Sequence, residues 1–346
     1  MPLQTSGPIS LRDVNIELGN PSQSTISLND TAVRDLLRVP FGTISLSDAY
    51  GKSLSPMAGT VAGYTSGGYV VNTIDKFPFA TDANATDVSD LTKARYSAAG
   101  QSSSENGYTS GGNPGAFAET LNTIDKFPFA TDANATDVGD LTIARYRTAG
   151  QSSNENGYTS GGGFPTTDTI DKFPFATDTN ATNVGDLARI KQGAAGQSSS
   201  ENGYTSGGLL SDTFNIIDKF PFVSNANATN VGDLTQARYF AAGQSSSENG
   251  YTSGGDPGGV AEGLNTIDKF PFATDTNATN VGDLTRVRFF AAGQSSNENG
   301  YTSGGFKASI PRTLNTIDKF PFATDANATD VGDLTTARYA SAGQQD

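Results

Sequence analysis

Residues Gly63–Gly68 read GYTSGG, and the same six residues return at Gly107–Gly112, Gly157–Gly162, Gly203–Gly208, Gly250–Gly255 and Gly300–Gly305. Their tyrosines, Tyr64, Tyr108, Tyr158, Tyr204, Tyr251 and Tyr301, are spaced by 44, 50, 46, 47 and 50 residues. A period in this range marks an array of supersecondary units, each needing its neighbours to bury its apolar surface. Each unit runs GYTSGG, a variable stretch, IDKFPF, a segment like ATDANATDVGDL, and then TxARYxxAGQSSSEN.

Turn residues divide the unit into four short extended pieces: AAGQSS, GYTSGG, NTIDKF and the region of VGDL. The Gly pair (Gly67, Gly68) ends the second piece, and the Pro of FPF ends the third because it cannot donate to a ladder. TDANATD supplies turn chemistry between the third and fourth. Apolar alternation is poor within the pieces, so the strand assignment rests on turn spacing and period. No segment of the array carries an apolar face at helical spacing.

Four strands per unit of this length is the arithmetic of a propeller blade. Small residues in AAGQSS suit an innermost strand, where blades converge. The Phe pairs of FPF, Phe77 and Phe79 in the first unit, suit the space between blades. Each buried Phe contributes roughly 1.5–3 kcal/mol. The array starts on a second strand (Ala62–Gly68) and ends on an unmatched first strand, RYASAGQ at Arg338–Gln344. Pairing of these two completes a ring of six blades. An open β-solenoid, the rival architecture, gives no reason for that complementary phase and wants distinct caps.

Tyr64, Gly67, Gly68, Asp75 and Arg95 carry a resemblance to the kelch repeat, which implies a six-bladed β-propeller over residues 58–346. The chain departs from that pattern by having no Trp and by placing Lys191 where the other units have Arg.

The formal charge is −14, with no His and no Cys. Nucleic acid is a poor partner for such a field. Disulfides, thiolate chemistry, His- or Cys-based zinc sites and Ser-His-Asp catalysis are excluded. No run of 18 apolar residues marks a membrane helix, and the first residues do not read as a secretory signal. DANATD resembles the start of a calcium loop. However, its sixth position is Asp87 and its twelfth is Lys93, so it reads as a polar turn with no metal or other cofactor expected. The Asn-Ala-Thr sequons beginning at Asn84 and its equivalents read the same way. Asp75 and Lys76, with their equivalents and the arginines Arg95, Arg145, Arg238, Arg288 and Arg338, suit structural ion pairs between strands. No spacing singles out a catalytic carboxylate pair, and no enzymatic activity is expected.

In a four-stranded antiparallel blade, the second-to-third loop and the link to the next blade share one face. Those are the segments that differ among the units, whereas SSSEN and ATDANATD, on the other face, barely change. Variation confined to one face of a repeat fold points to a binding face. The candidates are Tyr69, Phe117, Arg147, Phe164, Leu210, Phe214, Phe240, Phe290, Phe306, Lys307 and Arg312. Aromatics with scattered polar groups suit stacking on sugars or contact with protein. Neutral drift in surface loops is the plainer explanation of the same variation.

Residues 1–57 stand outside this array. PISLRDV, TISLNDT and TISLSDA repeat a Ser-x-x-Asp helix-start signal at Ser10, Ser27 and Ser45. Short helices are expected near 10–18, 27–37 and 45–50, in a module too small to promise a core of its own. Its three ISLxD elements resemble an N-terminal module of structural tail proteins of tailed bacteriophages and prophages. IDKFPF…GYTSGG arrays also look like marine-phage virion proteins. The resemblance implies a virion protein, attached to other tail proteins through residues 1–57. Its propeller then binds a host-surface glycan or protein as part of a tail fibre or tail tip. A decoration or assembly protein that contacts other virion proteins is the alternative, and a polysaccharide-acting enzyme the third. Self-association stays open.

Overall fold

The structure, a computed structural model, describes residues 61–69, 71–115, 119–259 and 262–346, together with Val14 and Val33. The helices expected near 10–18, 27–37 and 45–50 therefore lie outside the described residues, as two single positions establish no element. The chain divides into two units, Met1–Gly59 and Thr60–Asp346. Among the described residues, the second unit carries six four-stranded antiparallel sheets. It is a six-bladed β-propeller.

A complete blade is the second one, with an inner strand Ala99–Ser102, then Asn106–Ser110, Thr123–Pro128 and an outer strand Thr136–Asp140. Blades three to six repeat it with inner strands Ala149–Ser152, Ala195–Ser198, Ala242–Ser245 and Ala292–Ser295. The first blade is assembled from both ends of the array. Its inner strand, Ala342–Gln345, pairs with Ala62–Ser66, setting Gly63 opposite Gln345 and Ser66 opposite Ala342. Where the other blades turn through SSSEN, here Asp346 Oδ1 accepts the amides of Val61 (2.8 Å) and Ala62 (2.7 Å).

Poor alternation in the sequence has a direct cause: both faces of every blade are covered by neighbours. In Thr73–Pro78, Ile74 packs toward the second blade with Tyr64, Leu91 and Phe127. Phe77 faces the other way, against Tyr301 and Ile317 of the sixth blade. Asp75 points to that same side, and all three are buried. A strand buried on both faces has no solvent side to mark with polar residues.

Between blades, Phe79 stacks on Tyr301 (4.4 Å) while Phe77 meets the same ring at a tilt (5.7 Å). Equivalent trios recur around the ring, as in Tyr64 with Phe127 and Phe129. Each interface also holds a buried ion pair. The link leading into a blade carries a cation that meets the Asp of that blade's third strand: Arg95–Asp125 (3.0 Å), Arg145–Asp171 (3.1 Å), Lys191–Asp218 (3.1 Å), Arg238–Asp268 (3.0 Å), Arg288–Asp318 (2.9 Å) and Arg338–Asp75. Asp75 thus pairs with an arginine rather than with adjacent Lys76. Lys76 instead reaches Asp132 in the turn of the next blade (3.0 Å), at a half-exposed site where such a pair adds little.

Closed rings line the axis. Gly100, Gly150, Gly196, Gly243, Gly293 and Gly343 sit so close that a Cβ on any one would overlap the carbonyl oxygen of the glycine before it. Only glycine allows that approach. Flanking them, Gln101 and its equivalents reach into the next blade, where Gln101 Nε2 donates to Tyr158 O (2.9 Å) and Gln344 Nε2 to Tyr108 O (2.9 Å). The invariance of AGQ follows, since those positions serve the same contact six times, and in the first blade Gln345 Oε1 takes the serine's place by accepting the Ser295 amide. SSSEN is fixed by its turn: Ser103 Oγ accepts the Asn106 amide at 2.9 Å. DANATD also has a structural use, in which Asn134 Oδ1 accepts the Asp90 amide of the preceding blade (3.0 Å).

Candidate functional site

The variable segments do share one face. Each link residue bridges the first residue of the next second-to-third loop: Tyr96 with Asn113, Tyr146 with Gly163, Gln192 with Leu209, Tyr239 with Asp256, and Phe289 with Phe306. Tyr69 joins the set by donating its amide to Tyr339 O (3.1 Å). Gly67 and Gly68 make the turn into this face at φ 64° and 130°, a backbone that glycine adopts without strain.

At the mouth of the axis lies a ring that the sequence does not advertise. Ser97, Arg147, Gly193, Phe240, Phe290 and Ala340 occupy equivalent positions, and all six have positive φ, between 54° and 66°. Each donates its amide to the carbonyl of its counterpart in the preceding link: Ser97 to Ala340, Arg147 to Ser97, Gly193 to Arg147, Phe240 to Gly193, Phe290 to Phe240 and Ala340 to Phe290, at 2.6–2.8 Å. Five of these are not glycine, and each carries a conformational cost of about 1–2 kcal/mol. Strain held at one position in five of the six links is a pointer to function when the side chains there also vary.

Around this ring runs an aromatic belt. From Phe164 it passes through Tyr146, Tyr96 and Tyr69 to Tyr339, with centroid separations of 5.3, 6.2, 5.5 and 5.4 Å. It continues through Phe306, Phe289 and Phe290 to Phe240 and Tyr239, at 5.2, 5.4, 5.5, 3.7 and 4.6 Å. The belt is open only at the fourth blade, where Gln192, Gly193 and Leu209 stand in place of aromatics. Arg147 spans the opening, its guanidinium lying 4.9 Å from the Tyr146 ring and 5.2 Å from the Phe240 ring and donating to Gln192 Oε1 (3.2 Å). Burial raises the phenol pKa values of Tyr96, Tyr239 and Tyr339, so these hydroxyls stay protonated at neutral pH. The Asp256 carboxylate reinforces the shift at Tyr239, whose hydroxyl donates to it (3.0 Å).

Within the belt is an axial cup of about 70 Å³, lined by the ring residues and by the next residue of each link. Its polar side chains are those of Ser97, Arg147, Thr148 and Ser341, and no carboxylate lines it. Ser341 Oγ donates to Gly67 O (3.0 Å), whereas Ser97 Oγ and Thr148 Oγ1 are buried without a hydrogen-bond partner.

Of the residues expected from sequence, Tyr69, Arg147, Phe164, Phe240, Phe290 and Phe306 come together in the belt. Phe214 is half-buried against Arg189 (6.0 Å), Leu210 is exposed nearby in its loop, and neither joins the belt. The Lys307 amide donates to Arg312 O (2.8 Å), which places both in the long loop after Phe306. Phe117 lies outside the described residues. Phe77, Phe79, Asp75 and Arg95 belong to the blade interfaces described above. Sequence reasoning missed Tyr96, Tyr146, Tyr239, Phe289 and Tyr339, because an aromatic that nearly every link shares reads as scaffold. The signal was available: each directly follows the buried cation of its link and precedes the most variable position. No protein-family model matches this chain, and no characterised protein is found as a relative.

Proposed function

We propose that the propeller is a binding module of a tailed-phage virion protein. It reads a host-surface glycan or protein through the variable face, and a mostly helical module in residues 1–57 attaches it to other tail proteins. The observation that carries the binding reading is the aromatic belt around a strained ring, on the one face where six near-identical blades diverge. Flat aromatic faces with a cation among them suit a carbohydrate. The virion assignment rests on the three ISLxD elements and the resemblance they carry.

A decoration or assembly role is the second reading. The exposed Tyr69, Phe164 and Leu210 favour it, since solvent-facing apolar side chains on a variable face suit a protein partner. A polysaccharide-acting enzyme finds less support, because the cup offers no carboxylate for acid–base chemistry. The deciding experiment measures binding of the labelled chain to candidate host cells, with the variable loops native or exchanged. Saturable binding that is lost on loop exchange is expected. Binding to virions without binding to cells would replace the adhesin reading with the decoration role.

A further inference from the structure

We infer that the axial cup is the subsite for the carboxylate of an acidic sugar, the pyranose ring lying on the aromatic belt above it. This rests on the surface-binding reading and specifies its ligand. The size of the cup is the first argument. About 70 Å³ has room for roughly two waters, which is the space of a carboxylate and too little for a whole sugar ring.

The donor set is the second. Every ring amide is satisfied by a ring carbonyl, so these backbone groups are already occupied. What remains unpartnered is Ser97 Oγ, on a side chain nine-tenths buried, and Thr148 Oγ1. Two buried hydroxyls without partners are costly to leave unsatisfied. Both belong to residues that line the cup. Arg147 adds a planar fork matched to two oxygens.

The electrostatic setting is the third. The chain as a whole is strongly acidic, yet the cup wall holds a guanidinium and no carboxylate. A cation placed there, between two aromatic faces, selects for negative charge at one point of an otherwise repelling molecule. Phe240 and Phe290, stacked at 3.7 Å beside Arg147, give the C–H face of the sugar a surface next to its charged group.

The test uses the full chain in titration calorimetry with paired probes: sialyllactose against lactose, trigalacturonate against a neutral galactose trisaccharide, and inorganic phosphate alone. At least one acidic sugar is expected to bind about tenfold tighter than its neutral partner. Arg147→Gln is expected to remove that preference without lowering the melting temperature, and Ser97→Ala with Thr148→Val to weaken acidic-sugar binding several-fold. Equal affinity for acidic and neutral members of every pair overturns the inference, as does a preference that survives Arg147→Gln. Phosphate binding tighter than either acidic sugar overturns the carboxylate assignment. If host cells are bound through the loops and Arg147→Gln changes nothing, the surface reading stands and this one falls. If neither cells nor sugars bind, both fall.

Discussion

Ala340 holds a left-handed backbone (φ 58°) with only a methyl group to show for it. Ala340→Gly should relieve that strain and raise stability by about 0.5–1 kcal/mol in chemical denaturation, after allowing for the freer unfolded chain. The opposite holds one layer down the axis. Gly150→Ala sets a methyl group onto the Gly100 carbonyl. It should cost roughly 1–3 kcal/mol, read as a lowered denaturation midpoint. These two layers differ in legibility for a physical reason. A glycine that must be glycine appears in every copy, and AGQS displayed it. A left-handed position imposed by a backbone ring accepts Ser, Arg, Phe or Ala if the ring is strong enough, so nothing in the letters marks it. Half of the candidate site was therefore readable as variable aromatics, while the strained ring that aims them was not.

Among the elements, the link into the fourth blade departs from the others twice. Five links place a Thr beside the buried Asp; Thr92, for example, donates both its amide and its hydroxyl to Asp125 (2.8 Å each). Here the residue is Ala188, and the cation is Lys191 instead of Arg. The Lys191 ammonium lies 3.1 Å from Asp218 Oδ2, and no threonine hydroxyl supplements it there. Burial lowers the lysine pKa, with Asp218 opposing the shift. Restoring the pattern with Ala188→Thr and Lys191→Arg should raise stability by about 1–3 kcal/mol, measured as the denaturation midpoint. Arg→Lys alone at another interface, such as Arg238→Lys, should lower it. The lysine was visible in the sequence as an exception. Its coupling to Ala188 was not, because only the interface shows that both face one carboxylate. The strands themselves were legible from turn spacing and period, and double-sided burial explains why alternation failed.

At the scale of the molecule, six tyrosines sit between blades. Burial pushes Tyr108, Tyr204, Tyr251 and Tyr301 up to about 12. The unfolded value is near 10. Because the folded pKa is the higher, the linked stability is intact below pH 10 and is lost as pH rises from about 10 to 12. Tyrosinate absorbance and loss of far-ultraviolet circular dichroism should therefore rise together in that window. A smooth titration that precedes unfolding would contradict it. Closure of the ring was legible from the phase of the repeat, because a lone second strand at one end and a lone first strand at the other fit only each other. That same arrangement has a consequence during synthesis. The Ala62–Ser66 edge leaves the ribosome early and its partner, Ala342–Gln345, some 280 residues later, which at 5–20 residues per second is about 15–60 seconds of waiting. Its AGQQ differs by one residue from the AGQS of every other inner strand, so a neighbouring nascent chain can supply a near-identical substitute. Crowding on a polysome or refolding at high concentration should then trade closed rings for linked chains, visible as oligomers whose share grows with concentration.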